Sequence, residues 1–167
     1  MVDTLMPPKI QLGSLSPLSM GHAVMNWKEP MSANPDKGLR RVMGFILPSW
    51  QRPLVWTQEQ SESFLRSVWL GLPIGTYSYN QTHETPELDG LLIDGQQRLW
   101  AIQQYLEDAF PVFGYRWSEV TVVDQRRFKT STTFGCYVTE SDDEQYLKDY
   151  YNRMNFGGTA HSEEHRA

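Results

Sequence analysis

An α+β domain is the fold this sequence predicts, and three observations carry that expectation. Its 167 residues are enough for one domain with a real core. Helical and strand patterns are mixed along the chain from residue 42 onward. The repeated strand–helix–strand rhythm of a doubly wound sheet is missing.

Residues 1–41 read as an irregular arm. Met, Pro, Ser and Gly recur there (Met6-Pro7-Pro8, Ser14 to Met20, Pro30-Met31-Ser32) without a sustained period of two or 3.6. Such a segment lies along the domain or orders on a protein partner. Residues 42–167 form the domain proper. Val42 to Leu47 is apolar and partly β-branched and ends at Pro48, which predicts a strand. Thr57-Gln58-Glu59-Gln60 is a capping box opening a helix with Phe64, Leu65, Val68 and Trp69 on its buried side; Gly71 and Pro73 stop it. Thr76 to Tyr79 alternates like a strand, and the polar stretch 80–90 leads to a second strand at Leu91–Ile93. Leu99, Ile102, Leu106 and Ala109 mark the next helix, followed by strands at Val120–Val123 and Phe134–Val138. Ser141-Asp142-Asp143-Glu144 is a second capping box, starting a helix through Tyr146, Leu147, Tyr150, Tyr151 and Met154 that Gly157-Gly158 terminates.

The most informative stretch is Asp94-Gly95-Gln96-Gln97-Arg98, between the Leu91–Ile93 strand and the following helix. At such a junction unpaired backbone N–H groups favour an anion. An arginine in the first helical turn opposes the helix dipole, a cost that an adjacent phosphate or carboxylate offsets. Aspartate as N-cap followed by glycine suits the tight turn. The same five residues also suit an ordinary capped helix whose Arg98 is solvated or paired with a nearby glutamate.

Composition narrows the function classes. A single cysteine, Cys136, rules out an internal disulfide and fits a reducing cytosol; it reads as a small strand residue. No apolar run approaches the roughly 18 residues of a membrane span, and the first residues lack a signal-peptide apolar core, which predicts a soluble cytoplasmic chain. A formal charge of −5 and a pI near 5.3 argue against strong autonomous binding to the DNA backbone. Two short basic clusters remain, Arg40-Arg41 and Arg126-Arg127 with Lys129. His161-Ser162-Glu163-Glu164-His165 fits an inverted zinc-protease pattern, but only Arg166 and Ala167 follow, so the third ligand such a zinc normally draws from well downstream is not there.

Three separated segments share one resemblance. Leu47-Pro48-Ser49-Trp50-Gln51-Arg52-Pro53-Leu54-Val55-Trp56 resembles an "IP-x-x-QRPYVW" opening. Leu72-Pro73-Ile74-Gly75 followed by Ile93 to Leu99 resembles an "LPIG…DGQQRL" centre. Tyr151 to Thr159 resembles an "F-x-R-I-N-x-x-G-T" closing segment. The chain thus resembles, over about Val42 to Glu164, the N-terminal domain of GmrSD-type modification-dependent restriction enzymes, in the ParB/sulfiredoxin-like superfamily. The resemblance implies a nucleotide-binding domain that takes a nucleoside triphosphate, with Mg²⁺, in DNA restriction, phage defence or counter-defence. It implies that Gly95, Gln96, Gln97 and Arg98 form the phosphate turn, that Gln51 and Arg52 reach the same cleft, and that Asn155 and Gly158 close its far side. Asp94 would orient the metal or an attacking water, with a helix cap as its alternative role. Arg52 and Arg98 supply planar forks suited to phosphate oxygens.

The departures bear on activity. Larger members continue into a helical region and often an HNH nuclease domain, and His22, His83, His161 and His165 form no such cluster here. His161 also replaces an apolar residue of the family pattern. An NTPase is therefore a better expectation than an autonomous DNA-nicking endonuclease, with DNA contacts weak or indirect. A non-catalytic interaction module or inhibitor that retains the fold is the alternative.

Overall fold

The computed structural model describes residues 10–25, 27–32 and 39–156. Its main sheet grows from two parallel neighbours, β4 (Thr76–Asn80) and β6 (Gly135–Thr139), in register from Thr76 opposite Gly135 to Asn80 opposite Thr139. β5 (Leu92–Asp94) pairs antiparallel with β4, and β1 (Ser14–Ser16) antiparallel with β6, so the strand order is β1-β6-β4-β5. Period-two alternation divides the core between two faces. Leu92, Tyr77 and Cys136 join the buried residues of four helices: α1 (Met20–Met25), α2 (Gln58–Trp69), α3 (Gln96–Leu106) and α4 (Val122–Ser131). Ile93 joins a second cluster with Leu147, Tyr150 and Tyr151, the helical stripe of α5 (Glu144–Phe156). This is the α+β arrangement that the mixed patterning predicts. Cys136 is a buried strand residue, and burial pushes its thiol up, which keeps it unreactive.

Of the two capping boxes read from the sequence, the first is met and the second is shifted. Thr57 and Gln60 form the reciprocal cap of α2, with Gln60 N donating to Thr57 Oγ1 (3.2 Å) and Thr57 N to Gln60 Oε1 (2.9 Å). At α5 the cap sits two residues later than the Ser141 box predicts. Asp143 Oδ1 accepts from Gln145 N (2.9 Å) and Tyr146 N (3.3 Å), while Ser141 Oγ accepts from Asp143 N (3.1 Å) in the preceding turn. The Gly157-Gly158 stop and the His161–His165 pattern lie outside the described residues.

Three expectations are corrected. The irregular arm is not irregular throughout. Ser14–Ser16 completes the sheet against Ser16↔Cys136 and Ser14↔Val138, and Met20 is fully buried. The pairing partner lies some 120 residues away, so no local pattern announces it. Val42 to Leu47 is not one strand. It folds back as a hairpin of β2 (Arg41–Val42) and β3 (Phe45–Ile46), turning at Met43 (φ 50°) and Gly44 (φ 83°). Gln103 Oε1 on α3 accepts from Met43 N (2.8 Å) and holds that turn. Val120–Val123 is not a strand either. Thr121 Oγ1 accepts from Asp124 N (3.2 Å) and caps α4, leaving Val122 and Val123 exposed in its first turn.

If the segment at 14–25 is part of the core, Met20→Ala should destabilise the protein by about 2–5 kcal/mol. Chemical denaturation reads this directly, and a change within about 0.5 kcal/mol, as for a surface site, would return the segment to a detachable arm.

Candidate functional site

The Asp94–Arg98 turn is built by one backbone constraint. β5 ends at Asp94, and Gly95 takes φ 94° as the N-cap of α3, so the chain reverses into the helix within one residue. A Cβ on Gly95 would lie 2.6 Å from Tyr77 Cβ, which leaves glycine as the residue that fits. The first intrahelical bond runs from Leu99 N to Gly95 O (2.9 Å), leaving the amides of Gln96 to Arg98 without helical partners. Asp94 is therefore not the cap. Its Oδ2 accepts from Arg98 Nη2 at 2.9 Å, an acid-before-base pair at i,i+4.

Arg98 is held twice. Besides Asp94, its Nη1 donates to Ile74 O (3.2 Å), and its guanidinium occupies the space where a Cβ on Gly75 would stand. The arginine that opposes the helix dipole is thus offset by an internal carboxylate, and both members of the pair are about one-fifth exposed.

Gln51 brings the second segment in. Its Nε2 donates to Leu92 O and to Ile93 O (3.2 Å), at the last residues of β5 before Asp94. Arg52 follows with an exposed side chain, and its backbone N donates to Tyr151 Oη (3.1 Å) on α5. The two Gln-Arg segments therefore meet at the end of β5. Gln97 does not belong with the free groups of the turn. Its Oε1 accepts from Val55 N and Trp56 N (both 3.1 Å) and its Nε2 donates to Pro53 O (3.1 Å), so it fastens the 53–56 segment to α3. Its side chain is thus occupied within the fold, apart from the phosphate role that the resemblance implies. Gln96 is the opposite case. Its side chain is 4 % exposed, and neither Oε1 nor Nε2 has a hydrogen-bond partner. Gln51 Oε1 is buried and unpartnered as well.

On α5, Asn155 Nδ2 donates to Tyr151 O (2.9 Å), one turn beyond the tyrosine that touches Arg52. Gly158 lies outside the described residues. Two neighbours carry no signal of function in the sequence: Ser78 and Tyr150. Ser78 and Tyr150 share a 2.8 Å hydroxyl–hydroxyl bond, and Ser78 stands opposite Asp94 in the β4–β5 register. Burial pushes the Tyr150 phenol above its ordinary pKa, and the Asp94 charge adds to this. In the sequence Tyr150 is visible only as a core position of a helical stripe, whereas Tyr151 also opens the closing segment of the resemblance.

The turn lines none of the cavities of about 370, 450, 640, 300 and 120 Å³ along the molecule. Among the described residues no group of three or more His, Cys, Asp or Glu could hold a metal ion.

The role of Gln97 is open to direct test. Gln97→Ala leaves two backbone amides without their acceptor and should cost about 1–3 kcal/mol of stability. Chemical denaturation giving no loss would show that the 53–56 segment does not depend on it.

Residues 34–134, more than half of the chain, match the family model described as GmrSD restriction endonuclease, N-terminal domain. That span includes the Gln51-Arg52 segment and the Asp94–Arg98 turn and stops short of α5, where Asn155 lies. Neither curated proteins nor solved structures give a significant match to the chain. On this match and on the residues it spans, the chain belongs to the family of GmrSD restriction endonuclease N-terminal domains.

Proposed function

We propose that this domain binds the phosphates of a nucleoside triphosphate at the Asp94–Arg98 turn, in the service of DNA restriction or defence. Membership of a restriction-endonuclease domain family supports the setting. The observation that carries the binding is the start of α3, where the amides of Gln96 to Arg98 have no helical partners and stand beside the Arg98 guanidinium. The other groups of the motif explain how such a ligand would be held. Free amides at the helix start favour an anion, Arg98 is preset by Asp94 and Ile74 O, and exposed Arg52 stands nearby at the end of β5.

Mg²⁺ fits this arrangement in one way. It would arrive largely coordinated by phosphate oxygens and water, with Asp94 as the protein carboxylate beside it. A second reading, binding without turnover, is favoured by the Asp94–Arg98 pair, because that carboxylate already has a structural partner. A domain of that kind would act as an interaction module or inhibitor within the defence system.

Titration of the purified protein with each NTP tests the first reading. Arg98→Ala should weaken binding by about 1.5–3 kcal/mol, on the order of tenfold to a hundredfold. Absence of binding by all four NTPs would leave the interaction module standing. Turnover is tested separately. If Asp94 positions metal or water, Asp94→Asn should abolish NTP hydrolysis while keeping binding within a few-fold, since such a role acts mainly in the transition state. Equal hydrolysis by both proteins removes Asp94 from catalysis.

A further inference from the structure

A cavity of about 370 Å³ opens between the ends of α2 and α3 and the 112–124 connection, at residues distinct from those of the Asp94–Arg98 turn. Its volume falls within the roughly 300–1,000 Å³ of small-molecule sites. Four aromatic side chains line it: Trp69, Tyr105, Phe113 and Tyr115. Two carboxylates, Glu119 and Asp124, stand among them, and the described lining residues include no Lys, Arg or His.

Two independent features mark the cavity as more than a packing gap. Tyr105 is fully buried, yet its Oη has no hydrogen-bond partner. The Trp69 indole beside it is itself a donor, so the phenol's own proton lacks an acceptor in any case. The second feature is Phe113. It has φ 51° and Gly114 has φ 85°, in a two-residue turn closed by Val112 N to Tyr115 O (2.9 Å) and Tyr115 N to Val112 O (3.1 Å). Turns with positive φ at both central residues favour Asn or Gly first, and a bulky side chain there is strained. The Met43–Gly44 turn has the same signs of φ, but Met43 is buried and its N–H is held by Gln103, so packing accounts for it. Phe113 is 54 % exposed and has no such compensation in the fold. A strained aromatic kept in solvent beside an aromatic cavity points to contact with a ligand.

We propose that this cavity binds a small organic cation, an alkylated ammonium group. Ring faces carry negative electrostatic potential and attract such a cation, most strongly where water is displaced. The carboxylates add charge of the right sign. Glu119 Oε2 caps the backbone N of Arg116 (2.7 Å) and Asp124 Oδ2 accepts from Thr121 Oγ1 (2.8 Å), so both are fixed in place. Arg127 approaches Asp124 only at 4.0 Å and is well exposed, an ion pair that contributes little. The Tyr105 phenol is left to donate its proton to a hydroxyl oxygen carried by the ligand. Phosphates are repelled by the same charges, which separates this site from the nucleotide reading.

The test is a titration of the full chain with choline and with its neutral carbon isostere 3,3-dimethylbutan-1-ol, followed by the indole ¹H–¹⁵N signal of Trp69. Choline should shift that signal saturably and bind about tenfold more tightly than the alcohol, the scale of a desolvated cation–π contact. Phe113→Asn relieves the turn, so it should raise the melting temperature while weakening choline binding about tenfold. Glu119→Gln keeps the capping oxygen, removes the charge, and should weaken choline also. Nα-acetyl-trimethyllysine amide distinguishes the source: tighter binding than choline indicates a protein-borne cation, weaker binding a free one. No saturable shift with choline, equal binding of the alcohol, or undiminished choline binding by either variant would overturn the proposal.

Discussion

The left-handed turn at Gly95 is the constraint on which the rest of the architecture rests. By reversing the chain in one residue, it starts α3 directly off the end of β5 and aims successive polar side chains of one helix at three different segments. Gln97 fastens residues 53–56, Arg98 reaches Asp94 and the Ile74 carbonyl, and Gln103 holds the Met43 turn. Apart from the Arg98–Asp94 ion pair, each of these contacts answers a backbone group that would otherwise be left without a partner. A single hinge of conformation thus organises much of the polar interior. The space is closed on both sides, since Tyr77 blocks a Cβ at Gly95 and the Arg98 guanidinium occupies the corresponding space at Gly75.

The motif residues divide into groups that hold the fold and groups left available. Gln97 is wholly engaged with backbone and Gln51 is tied through its Nε2, whereas both polar atoms of Gln96 are buried and unmatched. Low dielectric makes an unmatched buried amide costly, and the same low dielectric strengthens whatever bond finally satisfies it. The electrostatics are local for the same reason. The chain carries −5 overall, so attraction of a phosphate depends on two guanidinium groups and the helix amides near the end of β5 rather than on a long-range field. Aromatic rings are concentrated elsewhere, around Trp69, Tyr105, Trp117 and Phe128, whose centroids lie 4.9 to 6.5 Å apart. The aromatic cavity thus lies at residues distinct from those of the Asp94–Arg98 turn, and the Arg127 guanidinium and Lys129 ammonium groups stand outside its lining.

Local rules were legible in the sequence wherever the governing interaction is short in range. The Thr57 capping box, the helical stripe of Leu147, Tyr150 and Tyr151, the Thr76 strand and the strand-to-helix junction at residue 94 each depend on neighbours within about one or two turns. The recurrence of Gln-Arg at 51–52 and 97–98 marked the segments that meet, although the segment joining them is brought in by the side chain of Gln51. Where a distant partner decides, the local pattern misled. Ser14–Ser16 becomes a strand because β6 offers an edge, and Val42 to Leu47 bends because α3 supplies an acceptor to Met43. Val122 and Val123 look like strand residues, but the Thr121 cap commits them to a helix whose first turn faces water.

By itself the sequence determined the mixed α and β composition, the family, and the identity of the turn residues, because apolar period, caps and glycine placement are local and cumulative. Tertiary structure alone decided what each motif residue does. Asp94 and Gln97 carry the chemistry expected of site residues, yet one balances an arginine and the other binds three backbone groups, since their partners are set by packing rather than by sequence distance. The same holds for Tyr105 and Phe113. Their types were visible from the start, but a buried hydroxyl without an acceptor and a positive φ in solvent exist only once the chain is folded.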